Sequence, residues 1–166
     1  MSFGYQKRRP LTEEEKSSDV AKARARALET LAAQEVSSGQ LYERLCRRFT
    51  EQAAAEMVQR EYVNDERYAE ARAHSLLAAR KSRRAAARNL RQKGLSAQQV
   101  AAALEAVYAP DEEGENPELS AAVALVESRY RPKLAMGRRD LVVAALQRRG
   151  FAYAVVKEAI KRVEEE

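Results

Sequence analysis

The chain has 166 residues and 45% hydrophobic side chains, but 32 of its residues are alanine, which leaves too few large side chains to fill one thick core. Cys46 is the sole cysteine, so no disulfide can form within the chain, and no apolar run reaches signal-peptide or membrane-span length; a monomeric cytoplasmic protein with no membrane contact is expected. The net charge of +5 is unevenly spread: residues 64–109 carry nine bases against four acids, residues 19–63 balance seven against seven, and residues 110–166 sum to −1.

Alanine, Glu, Gln, Lys, Arg and Leu lose little conformational freedom in a helix, and only six glycines and four prolines interrupt them, so an all-α chain is predicted. Residues 1–18 are polar and read as a flexible arm whose Lys7, Arg8 and Arg9 can reach phosphates. A first three-helix unit is predicted over 19–63: Asp19 caps its first helix, Ser37 or Ser38 restarts the chain, and a third helix follows Thr50. The second unit, 64–109, opens at Asn64 or Asp65, restarts at Ser82, turns at Gly94 and restarts again at Ser96. "APDEEGENPE" then gathers proline, glycine and acids, so 110–117 reads as an acidic linker and a hinge. The third unit, 118–166, runs through "LSAAVALVESRYR", "GRRDLVVAALQRR" and "AYAVVKEAIKRV", with Pro132 and Gly137 bracketing its first connection.

These units are copies of one another. Aligning Gly94 with Gly150 pairs Leu90 with Leu146, Leu95 with Phe151, Val100 with Val156 and Leu104 with Ile160. Leu45 and Phe49 take the same places in the first unit once one residue is deleted at the glycine. Such self-similarity predicts three tandem three-helix repeats stacked into an elongated, curved array, each repeat too small to bury its apolar face alone.

Four segments in order carry a family resemblance: "ALETLAAQEVSSGQL" at 27–41, "YVNDERYA" at 62–69, the Leu-x-x-Lys-Gly-Leu pattern ending at Leu95, and the Leu-x-Arg-Arg-Gly-Phe pattern ending at Phe151. Together they resemble the RecX family, regulators of the RecA recombinase, over about Ala21 to Val163. The first repeat departs from the pattern by lacking glycine after Arg48. The resemblance implies a protein that lies in the groove of the RecA filament on single-stranded DNA, lowers ATP hydrolysis and strand exchange, and acts in recombination, repair and the SOS response.

The basic excess is concentrated in "RKSRRAAARNLRQKG", where Arg80, Lys81, Arg83, Arg84, Arg88, Arg91 and Lys93 stand without an acid. With Ser82 as cap, Arg84, Arg88 and Arg91 fall at i, i+4 and i+7 on one face, while Ala86 and Leu90 share the face that Leu41 and Leu45, and Val142 and Leu146, occupy in the other repeats. A solvated helix normally mixes both signs, so this face is a candidate for single-stranded DNA, for duplex DNA, or for an acidic recombinase surface. Arg138, Arg139, Arg148 and Arg149 form a second patch, relieved by Asp140, whereas Arg47 and Arg48 have Glu43 and Glu51 in helical reach and read as a solvated face. In the family-like motif, Asp65 is read as a cap, Arg67 as an ion-pair or partner residue, and Tyr68 as packed against neighbouring helices; Gly94 and Gly150 are the turn residues.

No catalytic residue, metal ligand set or cofactor site is expected. His74 is the only histidine, and no Gly-rich phosphate loop or nucleophile elbow is present. A general helical DNA-binding protein without a recombinase partner is the alternative function, because short tandem helices also build helix-turn-helix units. A scaffold that makes only protein contacts is a third.

Overall fold

The computed structural model describes residues 9–60, 63–112 and 114–165. Among the described residues ten α-helices carry the fold: α1 Val20–Ala33, α2 Ser38–Leu45, α3 Glu51–Gln59, α4 Asp65–Ala78, α5 Arg83–Gln92, α6 Ala97–Tyr108, α7 Pro117–Arg129, α8 Arg131–Ala135, α9 Arg139–Arg148 and α10 Tyr153–Glu165. No strand occurs among the described residues. The chain divides between Asn64 and Asp65 into two units, so α1–α3 form one and α4–α10 the other.

Each repeat has its own apolar cluster, built from the positions that the alignment equates. Leu41, Leu45 and Phe49 are buried with Met57 in the first; Ala86, Leu90 and Leu95 with Val100 and Leu104 in the second; Val142, Leu146 and Phe151 with Val156 and Ile160 in the third. The restarts fall where short hydroxyl or carboxylate side chains can take the first free amides of a helix. Asp19 accepts from Lys22 N, Ser37 from Gln40 N, Thr50 from Ala53 N, Ser82 from Ala85 N and Ser96 from Gln99 N.

The turn after the middle helix of each repeat also follows from sequence. In the second and third repeats Gly94 (φ 81°) and Gly150 (φ 92°) adopt the left-handed region, and the chain closes with Leu95 N donating to Leu90 O (3.5 Å) and Phe151 N to Leu146 O (3.2 Å). The first repeat has one residue fewer. Phe49 N donates to Leu45 O at 2.9 Å, a bond one residue shorter that needs no left-handed residue, which is how the repeat does without glycine.

Three expectations need correction. Residues 12–18 are not a free arm. Thr12 opens a 3-10 turn at Glu13–Glu15, and Ser17 exchanges backbone bonds with the α2–α3 turn, its N–H donating to Arg48 O (2.9 Å) and its carbonyl accepting from Thr50 N (3.0 Å). Of the arm's bases, Arg9 pairs with Glu15, while Lys7 and Arg8 lie outside the described residues. The 110–117 segment is not a hinge either: Gly114 N donates to Asp111 O, Glu115 N to the Asp111 carboxylate, and Asn116 caps α7, so the acids close a turn on themselves. Finally, the third repeat has four helices. The connection around Pro132 is itself the short helix α8, since proline is tolerated in a first helical turn.

Candidate nucleic-acid interface

α4 ends, and α5 begins, at four residues that are bonded one after another to the third repeat or to α6. Arg80 adopts φ 55°, with Arg80 N donating to Leu77 O and Lys81 N to Leu76 O. A left-handed arginine costs about 1 kcal/mol. Its guanidinium offsets this by donating to Ala124 O (3.0 Å) and Ser128 Oγ (2.6 Å) on α7. Lys81 O accepts from the Tyr108 hydroxyl at 3.0 Å. The Ser82 side chain, fully buried, donates to Arg149 O at 2.9 Å while accepting from Ala85 N. Arg83 N donates to the Glu118 carboxylate at 3.0 Å, and its guanidinium pairs with Glu105 at 2.9 Å. The bonds of Arg80, Ser82 and the Arg83 amide hold the second and third repeats together, which the sequence did not foretell.

At Gly150 the third repeat comes close against the start of α5. A Cβ there would lie 2.8 Å from Ser82 Oγ and 3.5 Å from Arg84 Cβ, so Arg148 and Arg149 arrive beside the start of α5. The Arg148–Arg149 end of the second basic patch therefore meets the start of the first at this junction.

The seven bases of the opening stretch separate into two groups. Arg80 and Arg83 are engaged within the chain, and Lys81 contributes its carbonyl. Arg84, Arg88 and Arg91 are exposed along one face of α5, with no ion pair among the described residues. Lys93 is half-buried at the C-cap, where a positive charge complements the helix dipole, as Arg91 also does one turn earlier. Asn89, next to that face, is held by Arg72 Nε of α4 at 3.1 Å. In the third repeat Arg139 pairs with Glu164 at 3.0 Å, whereas Arg138 and Arg148 are exposed and Arg149 half-buried.

The family-like motif runs into the first turn of α4. α4 starts at Asp65, so Asp65 lies inside the first turn instead of preceding it, and with Glu66 it faces the positive end of the helix dipole. Tyr68 is half-buried against the second cluster and Arg67 is exposed. Tyr62 lies outside the described residues.

Two titratable groups at the junction are shifted. Burial pushes the Tyr108 hydroxyl up to about 12, helped by the Glu118 charge. Burial also raises the Glu118 carboxyl above its ordinary value, against the opposing pull of the Arg83 amide and guanidinium. A carboxyl with a raised folded pKa destabilises the fold when ionised. Stability is therefore lost as pH rises from the ordinary carboxyl pKa through the higher folded one. Glu118→Gln keeps an oxygen for the Arg83 amide without the charge. Its melting temperature is expected to exceed the parent's at neutral pH and to converge on it as the pH falls below the ordinary carboxyl value; a gap independent of pH would remove burial as the cause.

An acid-free cationic row on one face of α5, carried by tandem helical repeats, defines a helical-repeat protein with a basic face. The model for the RecX second three-helix domain matches residues 64–104, the segment that contains α4, α5 and most of α6. Regulatory protein RecX of Myxococcus xanthus (strain DK1622) is 34% identical over 113 residues, which cover 68% of this chain and 60% of that protein. The chain thus aligns with about three fifths of the curated relative's length. Among solved structures, the crystal structure of RecX from Lactobacillus salivarius superposes with a TM-score of 0.76 at 19% identity, covering 89% of this chain and 98% of that one. A second crystal structure, of regulatory protein RecX, superposes at 0.72 with 20% identity over 89% and 72% of the two chains. The chain belongs to the RecX family of regulatory proteins. No helix among the described residues is long and apolar enough to cross a membrane, and no group of three His, Cys, Asp or Glu side chains among them is placed to hold a metal ion.

Proposed function

We propose that this protein acts in the cytoplasm as a non-enzymatic, monomeric modulator of the RecA filament on single-stranded DNA, lying in the filament groove and lowering ATP hydrolysis and strand exchange. The observation that carries the reading is the row Arg84, Arg88 and Arg91, exposed and without a carboxylate partner among the described residues, with Arg148 and Arg149 brought next to its start at Gly150. Guanidinium forks suit phosphate and carboxylate alike, so such a row can bridge DNA backbone and acidic protein surface on the same fibre. Lowered turnover then requires tighter binding to one filament state than to the states that ATP hydrolysis cycles through. The rigid tie between the second and third repeats supports this mechanism, because a stiff double repeat resists the rearrangement of protomers it bridges.

The test is RecA ATPase on single-stranded DNA with and without a stoichiometric amount of the protein. A fall in steady-state turnover is expected. Unchanged turnover, together with tight sequence-selective binding to duplex DNA in the absence of RecA, would instead favour a general DNA-binding protein.

A further inference from the structure

Tyr153 is 60% exposed at the start of α10, although the fold gives it nothing to do there. The repeat alignment makes the point directly. The residue three positions after the turn glycine is Ala97 in the second repeat, and the corresponding residue of the first is Glu51; both are exposed. Neither copy needs an aromatic ring at this position. Tyr153 stands one turn before Lys157, also exposed, on the same face of α10. The residue before it, Ala152, lines a depression of about 400 Å³ whose apolar floor includes Ala87, Leu104 and Phe151 and whose rim carries Arg84. Glu118, the acid in its wall, is held by the Arg83 amide. The first turn of α10 contains no acid.

We infer that Tyr153 is a stacking platform for an unpaired base of single-stranded DNA, with Arg84 and Lys157 taking the phosphates on either side. The inference rests on reading the cationic face as a nucleic-acid surface and adds the residue that distinguishes a single strand from a duplex. An exposed ring on a face that also carries cations matches the alternation of base and phosphate along a single strand, whereas a duplex hides its base faces. Stacking tolerates any sequence, so the site selects strandedness instead of a base order.

The experiment is titration of three fluorescently labelled probes, an oligothymidylate, an abasic strand of equal length and a duplex, with the parent protein, Tyr153→Ala and Tyr153→Trp. Tyr153→Ala is expected to bind oligothymidylate about tenfold more weakly, with an unchanged slope of log affinity against log salt, and to match the parent on the abasic strand and the duplex. Tyr153→Trp should retain or exceed the parent's affinity. Because the side chain is exposed, all three proteins should melt at the same temperature. Equal binding of oligothymidylate by parent and alanine variant, or an equal loss on the abasic strand, overturns the stacking role while leaving the cationic surface intact. A parent that binds none of the probes overturns both.

Discussion

Gly150→Ala is expected to destabilise the unit formed by α4–α10 by about 2 to 3 kcal/mol, the left-handed backbone contributing about 1 to 2 and the displaced Ser82 cap about 1. The φ of 92° alone would strain any L-residue, but the new Cβ would also press on Ser82 Oγ from 2.8 Å. That oxygen cannot move without giving up either Ala85 N or Arg149 O, because Ser82 is fully buried. Gly137 and Gly114 separate the two contributions. Both have positive φ, but an added Cβ meets nothing within 4 Å at either, so alanine there should cost only the backbone part, about 1 to 2 kcal/mol. Urea unfolding of the four single variants, Gly150→Ala, Gly137→Ala, Gly114→Ala and Ser82→Ala, with the Ser82→Ala/Gly150→Ala double variant, completes the comparison. The double variant has no hydroxyl to collide with and should be about 1 kcal/mol more stable than the sum of its singles. Strict additivity would mean that the contact between the repeats contributes nothing.

The same junction explains what the sequence could convey and what it could not. Helix starts at Asp19, Ser37, Thr50, Ser82 and Ser96 were legible because capping is local: a side chain serves an amide three residues away. The buried faces were legible too, since Leu45, Leu90 and Leu146 recur at equivalent places in three copies. The locking of the second repeat to the third was not. It depends on Ser82 meeting Arg149, Arg80 meeting Ser128 and Arg83 meeting Glu118, pairs separated by 35 to 67 residues with no periodic signature. Composition at 110–117 pointed to a hinge, because proline, glycine and acids usually mark one; the long-range bonds overrule that local preference. For the same reason the basic stretch looked uniform in sequence, although Arg80 and Arg83 serve the fold while Arg84, Arg88 and Arg91 do not. Tyr153 did carry a signal, visible once the copies are aligned: an aromatic where the other two repeats have Ala97 and Glu51.

Changing Arg84, Arg88 and Arg91 together to alanine is expected to weaken binding to single-stranded DNA about a hundredfold at low salt, at roughly 1 kcal/mol for each exposed charge-assisted contact. Alanine is the strongest helix former, and none of the three side chains has an ion pair among the described residues, so α5 and the melting temperature should be preserved or slightly improved as like-charge repulsion disappears. The salt dependence carries the mechanistic content. Each phosphate contact on a single strand contributes about −0.7 to the slope of log affinity against log salt, so three lost contacts should flatten it by about 2. Arg80→Ala is the informative contrast, because it removes the same charge from the same stretch while its guanidinium is tied to Ala124 and Ser128. It should lower stability and leave the slope nearly unchanged. If the triple variant kept both the parent's slope and its inhibition of RecA ATPase, the cationic row would be a solvated helix face, and the DNA-binding surface would have to be sought elsewhere in the chain.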